Sequence, residues 1–99
     1  MTYLDLVGKA IRRYVPDDVL PDGDTDLLFC LYAVLALAKG VDVTTADVHN
    51  AWSAWMQTSD PEHESIRPFE DLDLEQQIAD EPYVKAIRTA SRTRDWESR

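Results

Sequence analysis

Ninety-nine residues, 44% hydrophobic and 29% charged, are enough for one domain with one core and too few for two. Nineteen acidic residues against ten basic ones give a net charge of -9, which repels phosphate backbones and anionic lipid, so direct binding to nucleic acid or membrane is not expected. The single cysteine, Cys30, excludes an internal disulfide and a cysteine-based metal set.

In chain order, Leu4, Val7, Ala10, Ile11 and Tyr14 recur at helical spacing, with Asp5, Lys9, Arg12 and Arg13 on the rest of the turn, which predicts an amphipathic first helix. The N-terminal MTYLDLVGKAIRRY lacks the apolar stretch and cleavage site of a signal peptide. Pro16 and the PDGD that follows end this helix. Asp24 or Thr25 is placed to cap a second one, which runs from Leu27 to Lys39 with Gly40 as a left-handed stop. That helix is apolar almost all round and is expected to be the buried centre of the fold, with Cys30 as a small buried residue inside it. Its apolar run, LLFCLYAVLALA, is twelve residues against the roughly twenty of a membrane crossing, so a cytoplasmic location is expected.

VDVTTADV carries the best-specified helix start. Thr44 is placed to cap the amide of Asp47, Asp47 to return the bond, and Val43 to pack on Val48. On the helix that follows, Val48, Trp52 and Trp55 form one stripe and His49, Trp52 and Met56 its neighbour. Trp52 lies on both, which makes it the first choice for the core and leaves Trp55 as the aromatic nearer a recognition surface. Residues 60 to 72 contain Pro61 and Pro68 and no sustained period, predicting a long ordered loop anchored by Ile66, Phe69 and Leu72. A short helix over residues 73 to 79 and a last one capped by Asp80, with Pro82 in its first turn, complete an all-α bundle of four or five helices. Residues 91 to 99 read as a polar tail in which Trp96 stands among charged neighbours.

From residue 46 to 90 the chain resembles the ryanodine-receptor repeat domain. The likeness rests on His49-x-x-Trp52 on a helix, His63 five residues before Pro68, Pro68-Phe69-x-x-Leu72, and Asp80 eight residues beyond Leu72. It departs in the turn after that helix, where TSDPE replaces a longer glycine- and aromatic-containing turn, and at Gln77, where that family often has lysine. The whole chain is also similar to small proteins encoded by actinobacteriophages, which places it in a host cytoplasm. The resemblance implies a helical recognition module of the kind expected to sense nucleotide-derived signals in conflict between host and virus.

Read from the residues alone, His49 and His63 lack the paired spacing of a metal site, no serine or cysteine stands in a nucleophile arrangement, and Gly8, Gly23 and Gly40 are too scattered for a phosphate loop. No metal, no cofactor and no catalysis are expected. Two functions fit. One is recognition of a small nucleotide-derived ligand or a peptide, with His49, Trp52, Trp55, Met56, His63, Pro68 and Phe69 as the binding residues. The other is an acidic antagonist or adaptor of a host protein, with nucleic-acid mimicry as one route. Residues 60 to 82 hold nine carboxylates against Arg67 alone, and Glu70, Asp71 and Asp73 are the contact residues on that reading. Self-association into a homo-oligomer is compatible with either.

Overall fold

The computed structural model describes residues 2–97, which form five α-helices joined by turns, four of them 3-10, with no strand among the described residues. The all-α bundle expected from the sequence is what forms. Helix α1 spans Tyr3–Arg13, and its start is fixed by a reciprocal box in which Thr2 Oγ1 accepts from the Asp5 amide and the Asp5 carboxylate accepts from the Thr2 amide. Val7, Ala10 and Ile11 point inward along one face. Helix α2 spans Asp26–Ala38 and stops at Gly40, whose φ of 59° is the left-handed conformation that favours glycine. Thr25 makes no side-chain cap here. Asp24 Oδ1 instead accepts from the Asp26 amide.

Helix α3 spans Thr45–Met56 and opens with the expected reciprocal Thr44–Asp47 box, reinforced by Lys39 Nζ at 3.0 Å from the Asp47 carboxylate. The guanidinium of Arg88 donates twice to the Val43 carbonyl, at 3.1 and 2.7 Å, and so holds the turn that precedes α3 against the last helix. Helix α4, Leu74–Ile78, is a short turn, and α5, Glu81–Thr93, is amphipathic, burying Tyr83, Val84, Ile87 and Ala90. The core is the common face of α1, α2 and α5 with the start of α3. Ile11, Leu28, Tyr32, Val43, Val48 and Ile87 are fully buried there, and the Tyr32 ring meets those of Phe29 and Tyr83 at 5.5 Å.

Three expectations are corrected. Helix α2 is not buried all round: Leu27, Val34 and Leu37 lie about half exposed on the face away from α1 and α5, because three neighbours cannot enclose a whole helix in a chain this small. Cys30 is half-buried rather than interior, its thiol 3.6 Å from the Asp5 carboxylate, and burial pushes the thiol pKa up. The polar tail is ordered structure. Helix α5 runs on to Thr93, Arg94 takes a left-handed φ of 52°, and a 3-10 turn over Asp95–Glu97 lays Trp96 against the core while the Tyr14 hydroxyl donates to Asp95. The tail therefore returns to α1; residues 98 and 99 lie outside the described residues. No helix among the described residues is long and apolar enough to cross a membrane.

Gly8 sets how closely α1 approaches α2. A Cβ at this position would lie 3.0 Å from the Phe29 carbonyl oxygen and 3.3 Å from its carbon, both backbone atoms of a buried residue in the first turn of α2. Helix propensity alone would make Gly8→Ala stabilising by about 1 kcal/mol. Overpacking against a backbone that cannot yield outweighs it. Gly8→Ala is expected to lower unfolding free energy by about 1–2 kcal/mol in urea titration. An unchanged or raised midpoint would show that the two helices can separate freely.

Candidate functional site

Side chains from separate parts of the second half meet around His49. Its imidazole is 3% exposed, and its Nε2 lies 2.7 Å from the carbonyl oxygen of Arg67. A carbonyl only accepts, so Nε2 carries the proton and donates, and the bond fastens the proline-bearing loop to α3. The Trp52 ring stacks on His49 at 5.8 Å, His63 stands edge-on to Trp52 at 5.2 Å, and Phe69 meets His49 at 6.2 Å. His63 is oriented in turn by the Ser65 amide, which donates to its Nδ1 at 3.0 Å. Two aromatic rings from α3 and two from the loop thus make one cluster, and Leu72 is the loop's buried anchor.

Beside this cluster is a cleft of about 270 Å³. His49, Trp52 and Tyr83 give it an aromatic side, and Leu72, Ser65, Gln76 and Ala79 give it a wall from the loop and α4. The third side comes from Val19 and Pro21 in the α1–α2 connection, drawn in because the Tyr83 hydroxyl donates to the Val19 carbonyl. Gln76 Nε2 donates to Ser65 Oγ at 2.9 Å. Gln77 donates to the carbonyls of Phe69 and Leu72 at 3.2 and 3.1 Å and serves as a strut for the loop.

Asp80 lies among the residues of this cleft, with its side chain 15% exposed. It was expected to cap α5, and it does not: its backbone is αR, φ -84° and ψ -11°, not the extended conformation from which a side chain reaches forward to the first-turn amides, and no cap bond forms. Its carboxylate faces His49 Nδ1 at 3.9 Å, an ion-pair distance too long for a hydrogen bond. Burial pushes its pKa from 3.8 up to about 6, against the opposing pull of His49. Above it, burial and the Asp80 charge also push up the Tyr83 hydroxyl.

The predicted binding residues divide. His49 and Trp52 line the cleft, while His63 and Phe69 support it through their ring contacts. Trp55, Met56 and Pro68 line no part of it. The assignment of the two tryptophans is reversed. Trp55 packs against the core, because it shares a helix face with buried Val48 and Ala51, whereas Trp52 follows His49 toward the loop; both indoles are half-buried. Of the acidic contact residues, Glu70 and Asp71 are exposed on a 3-10 turn, and Asp73 caps α4 by accepting from the Gln76 amide at 2.9 Å. Ser65, Gln76, Asp80 and Tyr83 were missed as site residues. Asp80 alone carried a sequence signal, as the last piece of the spaced motif.

Comparison with known families gives a match to the family described as a domain of unknown function, DUF7701, over residues 2–92. The chain belongs to the DUF7701 family. The match runs from the Thr2 cap to the end of α5, so in DUF7701 the two N-terminal helices and the His49 cluster are parts of one unit. No curated protein and no solved structure matches significantly.

The raised pKa of Asp80 has a consequence for this DUF7701 chain. Between pH 3.8 and about 6 the folded state binds the carboxyl proton more tightly than the unfolded state does, so stability due to this group falls as pH rises through that window and the penalty is complete above it. Asp80→Asn removes the penalty. The variant is expected to be more stable than the parent at pH 7.5 by on the order of 1–3 kcal/mol, since a tenfold change in proton affinity is worth about 1.4 kcal/mol. The gain should shrink toward pH 4 in paired thermal melts. Equal stabilities at pH 7.5 would mean that the Asp80 carboxylate is solvated in solution.

Proposed function

We propose that the chain is a non-catalytic recognition module that takes a small ligand, or a single side chain of a peptide, into the cleft between α3, the loop and the start of α5. The observation that carries this reading is Asp80: a carboxylate largely removed from water, with no hydrogen bond to its side chain, beside aromatic rings. Leaving such a group without a donor works against folding, and a bound ligand would supply one. The likeness of residues 46 to 90 to the ryanodine-receptor repeat supports recognition over catalysis, as does the state of the hydroxyls. Ser65 Oγ is engaged by Gln76, and Ser53 Oγ is 3.4 Å from a His49 Nε2 already committed to Arg67. At about 270 Å³ the cleft lies below the ~300–1,000 Å³ of sites for drug-sized ligands, so it suits one ring or one side chain and not a whole nucleotide. A nucleotide-derived signal would enter by its base alone.

The acidic-adaptor reading is supported by the exposure of Glu70 and Asp71 on the same loop that walls the cleft. It ranks second because Asp73, its third contact residue, has a structural task.

The test is a fragment screen spanning neutral, anionic and cationic single-ring compounds, read by amide and indole NMR shifts. Binding is expected to move the Trp52 indole and the amides of Leu72, Gln76 and Asp80 together. Ala79→Trp, which puts an indole into the cleft from an exposed position at the end of α4, is expected to abolish those shifts while leaving the melting curve in place. If no fragment of any charge moves these signals, or if they respond equally in Ala79→Trp, the cleft is not a binding site.

A further inference from the structure

The groups that line the cleft determine what chemistry would fit it. No lysine or arginine is among them. After the internal hydrogen bonds are counted, both Asp80 oxygens and Gln76 Oε1 remain as acceptors, the second Gln76 Nε2–H, the Ser65 hydroxyl and the Trp52 indole N–H remain as donors, and the Tyr83 proton is given to Val19, so the formal charge among the lining groups is that of the Asp80 carboxylate. His49 has its Nε2 proton on Arg67 and turns Nδ1 toward Asp80. The chain neighbours of three lining residues are exposed acids, Asp22 beside Pro21, Glu75 beside Gln76 and Glu81 beside Asp80. An anionic ligand would meet the Asp80 carboxylate in the cleft, with no lysine or arginine among the lining residues to offset it. A neutral acceptor-rich ligand would leave Asp80 without a donor.

We infer that the ligand presents a guanidinium group, seated with its donors on the Asp80 carboxylate and Gln76 Oε1 and its plane against the aromatic side of the cleft. This rests on the cleft being a binding site at all. A guanidinium matches on three counts: it is flat and small enough for a cleft of this volume, it brings paired donors to a carboxylate, and it stacks on aromatic faces while being only weakly hydrated. An ammonium group offers the charge without the plane or the fork. The source of the group is either a free small guanidine or an arginine on a basic segment of another protein. In the second case the exposed Glu70 and Asp71 would act together with the cleft.

The probes are agmatine, acetyl-arginine amide, its neutral isostere acetyl-citrulline amide, adenosine monophosphate and a short Lys-Arg-Lys peptide, titrated into the full chain by NMR and calorimetry. Agmatine and acetyl-arginine amide are expected to bind, with the citrulline isostere and the nucleotide weaker by about tenfold or more, the scale of a charge-assisted hydrogen bond lost to a neutral one. Asp80→Asn is expected to cost the guanidinium probes about the same factor while its melting temperature confirms that it is folded. Affinity should rise with pH through about 6 and level off above, because the cation needs the ionised carboxylate. The other titratable groups facing Asp80 are His49 on α3, Tyr83 on its own helix and Tyr32 on α2. The two tyrosines are pushed further from neutrality, so they do not titrate in this range.

Agmatine binding as tightly as the peptide points to a free guanidine. A peptide that binds more tightly and loses that advantage in salt or in Glu70→Gln/Asp71→Asn points to a basic protein segment, and either supports the assignment. Equal binding of citrulline and arginine probes, or binding indifferent to Asp80→Asn, overturns the guanidinium assignment while leaving the cleft occupied. Fragments that bind when no guanidinium probe does have the same meaning.

Discussion

The second half of the molecule depends on one buried hydrogen bond, from His49 to the carbonyl of Arg67. An imidazole that is 3% exposed must have a partner, and the loop with prolines at 61 and 68 has internal backbone pairs that span only two or three residues and do not tie it to a helix. The bond meets both needs. Around it the rings of Trp52, His63 and Phe69 exclude water, and Leu72 is driven inward. Closing a loop of this length costs only a few kcal/mol of chain entropy, which these contacts together can offset. Once the loop is held, Gln77 and Gln76 extend the attachment to α4, and a wall stands where a free segment would otherwise hang in solvent.

The core proper lies on the other side of α3. Val48, Ala51 and Trp55 face α2 and α5, while His49 and Trp52 face the loop, so this one helix separates the hydrophobic scaffold from the site. The division assigns the two kinds of stability to different residues. Scaffold stability comes from aliphatic burial and the close approach at Gly8; site geometry comes from a small polar and aromatic network that could loosen locally without unfolding α1, α2 and α5. Tyr83 bridges the two, with its ring against Tyr32 in the core and its hydroxyl holding Val19 over the cleft.

What the sequence made legible followed local rules. The Thr44–Asp47 box, the Gly40 stop, the loop between 60 and 72 and its apolar anchors were readable because each is set by residues a few positions apart. The roles of the two tryptophans were not. Helical spacing places Trp52 and Trp55 on adjacent stripes but does not say which stripe meets α2, and that is decided by residues 25 to 38, far away in the chain. Trp96 was misjudged for the same reason: charged neighbours suggest a frayed end, and only the nearness of Tyr14 in space gives Asp95 a partner and the indole a place to pack. The exposed face of α2 was hidden by composition, since an apolar residue on a surface looks the same in sequence as one in a core.

Asp80 shows where local rules and the fold diverge. Its position before Glu81 and Pro82 reads as a helix cap, and in isolation an extended backbone would let its carboxylate accept from the first turn of α5. Here α4 runs into α5 through Ala79 and Asp80, both αR, and that path turns the side chain away from the amides that would satisfy it. The carboxylate is delivered instead to a half-closed space beside an imidazole whose other nitrogen is already committed. A sequence optimised only for folding would do better with asparagine or an apolar residue at this point, because a half-buried charge with no protein donor raises the free energy of the folded state. The strain therefore sits where the fold leaves room for something else to enter. A donor-bearing ligand would relieve it, so the same carboxylate that weakens the free domain would strengthen the complex, and binding would add to fold stability by linkage.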